Sequence, residues 1–145
     1  MSDVTAWFFD DYLPTWVGVG NGTIHRGPEF ILDYWGHPLF VANPDAAAGW
    51  ALDGPAVVEF LGGMQARLRA DGYTHTEVLD RSVHVYHDNG AAIEVIWSRR
   101  RADESEIERM AVHFEAIRTI EGWRIAGIQY LFTTAETLAE SWAQR

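Results

Sequence analysis

The stretch Met110–Phe132, MAVHFEAIRTIEGWRIAGIQYLF, decides how the chain folds, because it reads as one long antiparallel hairpin. Glu121-Gly122 is its only turn signal, and β-branched and aromatic residues crowd both flanks. With those two residues as the loop, Ile120 pairs with Trp123, Phe114 with Gln129 and Val112 with Leu131, and paired residues share a face of the sheet. One face then carries Met110, Val112, Phe114, Ala116, Trp123, Ile125 and Leu131, interrupted by Gln129 and Arg118. The other carries Ala111, His113, Glu115, Ile117, Ala126, Ile128, Tyr130 and Phe132. Neither is plain solvent surface.

Working outward, residues 77–87 and 91–101 alternate with a period of two and join at Asp88-Asn89-Gly90, where Asn-Gly supplies the positive φ of a tight turn. Pairing across Asp103-Glu104 sets Trp97 opposite Met110 and Val95 opposite Val112, so Ile93, Val95, Trp97 and Arg99 extend the bulky face. The Asn-Gly turn leaves two registers open. A two-residue loop puts Ser82, His84 and Tyr86 on the bulky face, whereas one more loop residue turns Val83 and Val85 inward and His84 outward.

Toward the N-terminus, Val4, Trp7, Phe8 and Tyr12 fall at helical spacing, and Pro14 ends or kinks that helix. A short helical turn at 27–33 precedes an extended, edge-like piece at 34–41, since Pro38 argues against a central strand. Residues 43–52 lack a period and read as a loop carrying Trp50. Asp53-Gly54-Pro55 opens the best helix, with Val57, Phe60, Leu61, Met64 and Leu68 in one stripe and Gly72 as the stop. Gly62-Gly63 inside it is costly and leaves two readings open, close approach of another backbone or an exposed face under little constraint. Thr133 and Glu136 have the spacing of a capping box before a short C-terminal helix.

A length of 145 residues fits one domain, 1–145, with a core large enough to need no staples, and zero cysteines exclude disulfides and thiolate chemistry. The formal net charge of −10 disfavours nucleic acid and anionic membranes as partners. No apolar run reaches the length of a membrane span, so a soluble cytoplasmic protein is the expectation. Histidines and carboxylates show no metal-ligand spacing, and there is no Walker loop or nucleophile elbow, so no metal and no cofactor are expected. The chain is 13% aromatic, which suits a bulky core or an aromatic-lined cavity.

The order of elements, with Trp7–Tyr12 in the first helix, Asp53-Gly54 with Val57 and Phe60, Val95–Arg99 and the Gly122-Trp123-Arg124-Ile125 strand start, resembles the nuclear transport factor 2-like superfamily, in its SnoaL-like and ketosteroid-isomerase-like branch. The resemblance implies an α+β fold, a cone-shaped, strongly curved, mostly antiparallel sheet wrapped around an N-terminal helix and a long helix (a cystatin-like roll). It also implies a pocket at the open end and a homodimer through the outer sheet face. On that footing the bulky face is the cone interior, and His113, Glu115, Ile128 and Tyr130 lie at the dimer interface. The isomerase relatives use a first-helix tyrosine, a carboxylate just ahead of a proline and a second acid from the sheet. Tyr12 is similar to the first; His37 stands before Pro38 where the carboxylate would be; the sheet positions Val112, Phe114 and Ala116 are apolar.

Tyr12 and His37 are thus the catalytic candidates, and Tyr34, Trp35, Trp50, His84, Trp97, Arg99 and Gln129 the candidates for ligand contact. Arg99 and Gln129 stand out as polar groups on an apolar face, where each needs a partner. Arg99 either holds a carboxylate or carbonyl of a ligand or pairs with an acid of the chain. The expected role is binding of a small hydrophobic organic ligand, with cofactor-independent acid–base chemistry such as isomerisation, cyclisation or dehydration. The alternative is a non-catalytic dimerisation or ligand-binding module.

Overall fold

The computed structural model describes residues 3–142. The N-terminal helix has three consecutive segments: α1 (Asp3–Ala6), a π-helical turn (Trp7–Tyr12) and α2 (Leu13–Gly20). Pro14 does not end it. Proline lacks the N–H that an α-helix requires, and the Leu13 N–H bonds the Phe8 carbonyl five residues back, so a widened turn carries the helix past the proline. Tyr12 and Trp16, four residues apart, therefore lie in the same buried stripe.

A 3₁₀ helix (Pro28–Asp33) leads into β1 (Trp35–Asn43) and β2 (Ala46–Ala51), followed by α3 (Gly54–Ala70), β3 (Tyr73–His87), β4 (Gly90–Arg101), β5 (Glu106–Thr119), β6 (Gly122–Phe132) and α4 (Leu138–Ser141). The six strands form one curved sheet in the order β2-β1-β6-β5-β4-β3, antiparallel except between β1 and β6. The helices α1 to α3 cover its concave face, making the cone expected from the order of elements.

Several expectations change. The segment read as a loop contains β2, an alanine-rich edge strand whose small side chains give no period to read. β1 is consequently not at the edge. Pro38 is accommodated because the β1–β6 register breaks between Trp35 and Phe40 and pairing with β2 begins only at Leu39. No backbone approaches the glycine pair of α3: a Cβ at Gly63 would meet nothing within 4 Å, and one at Gly62 only Pro28, at 3.8 Å. The C-terminal capping box has the expected spacing but sits four residues later, with Thr137 accepting from the Glu140 N–H at 3.2 Å. Asp53 caps α3 as read, accepting from the Ala56 N–H at 2.9 Å.

The β4–β5 register is the one the sequence specifies, with Trp97 opposite Met110 and Val95 opposite Val112. The β5–β6 register is not. Thr119 pairs with Gly122, and Gly122 takes φ +106, so the loop is Ile120-Glu121. A bulge then inserts Ala126 into β6, because Glu115 pairs with Gly127 but Ala116 with Ile125. Trp123 and Ile125 stay on the interior face, whereas beyond the bulge Ile128 and Tyr130 turn inward and Gln129 and Leu131 outward. Gly127 is needed beside the bulge, since a Cβ there would lie 1.8 Å from the ring of Phe40. On β3, Val83 pairs with Ile93 and His84 with Ala92, which settles the second open register with Val83 inside and His84 outside.

The core is aromatic. Phe114 touches Phe8, Trp97 and Trp35 at ring distances of 4.9, 5.5 and 5.9 Å, contacts of about 0.5–1.5 kcal/mol each beyond simple burial. A smaller cluster on the outer face packs Ile96 and Ala111 under Leu138 of α4.

Candidate functional site

Between the helices and the interior sheet face lies a cavity of about 10 Å³, lined by Tyr12 and Trp16 from the N-terminal helix, Trp35, Leu61 and Met64 of α3, and Trp97, Arg99, Met110, Val112, Phe114 and Ile128 of the sheet. Its chemistry is one-sided. The indole N–H groups of Trp35 and Trp97, and Nε and Nη1 of Arg99, are buried without a hydrogen-bond partner. A buried donor left unpaired costs about 1–3 kcal/mol, so four in one place call for an explanation. A void of this volume admits at most one water, and one water accepts only two hydrogen bonds.

Arg99 is 3% exposed and lies between the rings of Trp16 and Trp97, with its guanidinium carbon 5.5 Å from each ring centroid. Its counter-ion is Glu108, its cross-strand partner, whose carboxylate lies 3.5 Å from Nε without forming a hydrogen bond. Glu108 also takes an ion pair from Arg67 of α3 at 3.1 Å. Burial pulls the Arg99 guanidinium below its ordinary value, opposed by Glu108, Tyr73 and Tyr12. Burial likewise lifts the Tyr12 hydroxyl far above the ordinary phenol range, opposed by the Trp35 indole, which lies near the hydroxyl but falls short of hydrogen-bond geometry, and by Arg99. Tyr12 therefore stays neutral as a donor rather than acting as a base.

The other candidates divide. Trp35, Trp97, Arg99 and Tyr12 come together in the cavity. Tyr34 is buried beside Tyr12, at a ring distance of 5.3 Å, but its hydroxyl already donates to Asp11 at 2.8 Å. Trp50 is 65% exposed on the edge strand, against Phe40. His84 is exposed on the outer face, as is Gln129, the outer-face partner of His113. Ile128, expected at an interface, lines the cavity, and Tyr130 packs against the interior core.

His37 lies apart from Tyr12. It lines a surface groove of about 520 Å³ with Leu32, Trp35, Pro38, Ile117 and Arg124 among others. That groove is larger than the cavity, and Arg124 in its wall donates through Nη1 to the Trp123 carbonyl at 2.8 Å. The outer-face pair His113 and Glu115 belongs to a closed network, in which His113 bonds Glu94 at 2.8 Å and Glu115 at 3.3 Å. The Trp142 indole donates to the same Glu94 at 3.2 Å. Among the described residues no group of histidines and carboxylates could hold a metal ion, and no helix is long and apolar enough to cross a membrane.

Trp16, Met64 and Glu108 were missing from the candidates. Trp16 lies beyond Pro14, the residue expected to end or kink the helix. Glu108 was legible: carrying the Trp97–Met110 pairing one step further sets Arg99 opposite Glu108.

A curved, unclosed six-stranded sheet wrapped over helices around an interior cavity defines the cystatin-like α+β roll. Residues 2–131 match the family described as NTF2-like protein (DUF6841), and the chain belongs to that family. Among solved structures, an NTF2-like protein of unknown function from Pseudomonas putida superposes with a TM-score of 0.64 at 13% identity, covering 99% of this chain and 96% of that one. An NTF2-like protein with a cystatin-like fold from Novosphingobium aromaticivorans gives 0.55 at 18% identity, covering 86% and 76%. A proposed ketosteroid isomerase from Parabacteroides distasonis gives 0.55 at 12%, covering 76% and 78%. No curated protein matches the chain.

Proposed function

We propose that this domain binds a small organic molecule inside the cone, held by Arg99 and the indoles of Trp35 and Trp97 within aromatic and aliphatic walls. The carrying observation is the four unpartnered buried donors around one cavity. Buried polar groups are nearly always satisfied, and a bound ligand satisfies these. At about 10 Å³ the cavity must widen to admit it, and Met64 and Met110, flexible thioethers in its wall, are the side chains suited to yield. The reading favours binding over acid–base catalysis, because the cavity lining contains no carboxylate or imidazole to act as base. Titration with small aromatic acids and ketones tests it. Saturable quenching of tryptophan fluorescence that is lost in Trp35→Phe/Trp97→Phe supports the site, and no response in the wild type contradicts it.

A homodimer through the outer sheet face is the second reading, favoured by the exposure of Tyr86 (55%) and Ile117 (39%) there. Ile128 and Tyr130 have no part in it, since both are on the interior side. Tyr86→Asp/Ile117→Asp should sediment as a monomer where the wild type sediments as a dimer, and identical profiles would remove this reading.

A further inference from the structure

The cavity's donors do not by themselves distinguish a neutral carbonyl from an anion, but the charges around them do. We infer that the ligand is a small aromatic or apolar monocarboxylate, and that Glu108 is the built-in counter-ion it replaces at Arg99. This rests on the ligand-binding reading given above.

Three charged groups meet here: Arg99, Arg67 and Glu108. Arg67 and Glu108 are also the charged side chains that act on Arg99, the remaining influences being the phenols of Tyr73 and Tyr12. Burial raises both phenols, so they stay neutral near neutral pH. Arg99 and Glu108 are buried and balance each other, while Arg67 is half-exposed. An anion that takes Arg99 leaves Glu108 to Arg67 and every charge paired, an exchange that a neutral ligand does not make.

The pairing already present is poor on both sides. The carboxylate of Glu108 lies 3.5 Å from Nε of Arg99, yet its Oε2, like Nε itself, has no hydrogen-bond partner. Arg67 holds Glu108 at 3.1 Å and comes from α3, the helix that also contributes Leu61 and Met64 to the cavity wall. Glu108 can thus remain paired with Arg67 when another anion takes Arg99. The acceptor chemistry also agrees. A carboxylate accepts at about four lone-pair sites and donates at none, which suits four unpartnered nitrogens that are all donors. Trp16, Trp35, Trp97 and Phe114 supply flat apolar walls for the body of such an acid.

The test uses benzoate and its neutral isostere benzamide, followed by tryptophan fluorescence and by the shift in melting temperature, on wild type, Glu108→Gln and the double variant Arg99→Met/Glu108→Gln. The double variant removes both buried charges together and so avoids leaving one uncompensated. Benzoate should bind the wild type at least about tenfold more tightly than benzamide, and Glu108→Gln should bind benzoate on the order of tenfold more tightly still, because the competing anion is gone. The double variant should bind neither. Should Glu108→Gln lose stability through its unpaired guanidinium, benzoate should raise its melting temperature more than that of wild type. Equal binding of the two probes, or no gain in Glu108→Gln, with both lost in the double variant, would overturn the anion assignment and leave the ligand site standing. Failure of both probes on the wild type, or unchanged binding in the double variant, would overturn the site as well.

Discussion

The two faces of the central strands β4, β5 and β6 carry polar groups in opposite condition. Outside, Glu94, His113, Glu115 and Trp142 close on one another through hydrogen bonds of 2.8–3.3 Å. Inside, Arg99, Trp35 and Trp97 present four buried donors that meet no acceptor. Proximity to solvent would suggest the reverse, since exposed groups can leave their bonds to water while buried ones cannot. Sequence conspicuousness is therefore a poor guide here. His113 and Glu115 draw the eye but already hydrogen-bond within their own network, whereas an arginine and two indoles in an aromatic core have unfulfilled chemistry.

The comparison can be broken most forcefully through packing. Phe114→Ala should cost about 3–5 kcal/mol in chemical denaturation, because the ring is fully enclosed by Phe8, Trp35 and Trp97 and its loss leaves a cavity. A loss near the level of a surface substitution would mean that the interior is loosely filled. A second separation is in pH. The hydroxyls of Tyr12, Tyr34 and Tyr73 are all raised above 10.0, chiefly by burial. Groups raised in the folded state contribute stability that is complete below the unfolded value and is lost as pH climbs above about 10. Tyr12→Phe should shift the alkaline unfolding limb upward, and an unchanged limb would deny that burial holds the hydroxyl neutral.

On the outer face the sign reverses. Glu106 is partly buried, which raises it, but hydrogen bonds from Ser98 and Arg109 outweigh this and hold it below its ordinary value. Its contribution is present above the ordinary carboxylate range and fades as pH falls through the depressed value, so Glu106→Gln should flatten the acid limb. The smallest effect belongs to His113→Gln, at about 1 kcal/mol or less, since its hydrogen bonds to Glu94 and Glu115 are partly solvated. A larger loss would make the outer network part of what holds the sheet.

How much of this was legible depends on one residue. The β4–β5 pairing followed from alternation alone, and with it Trp97 and Arg99 fell on the interior face. For β5–β6 the loop lies one residue earlier than Glu121-Gly122, which moves each pairing by two residues and leaves the faces unchanged. The Ala126 bulge alone inverts the second half of β6, which exchanges Gln129 for Ile128 in the cavity wall. The glycine at 127 was the available signal, since an isolated glycine within a strand pattern marks a bulge. β2 was unreadable because alanines carry no face. The orphaned donors could not be read at all, for satisfaction of a hydrogen bond is a property of three-dimensional placement.

The account's central claim is that the interior face holds a ligand site and the outer face does not. The most direct measurement is the set of ¹⁵N-indole resonances during titration with benzoate and with benzamide. Trp35 and Trp97 should shift saturably with at least one of the two, while Trp142, bonded to Glu94 on the outer face, stays in place. No shift at Trp35 and Trp97, or equal shifts at all three, would contradict it.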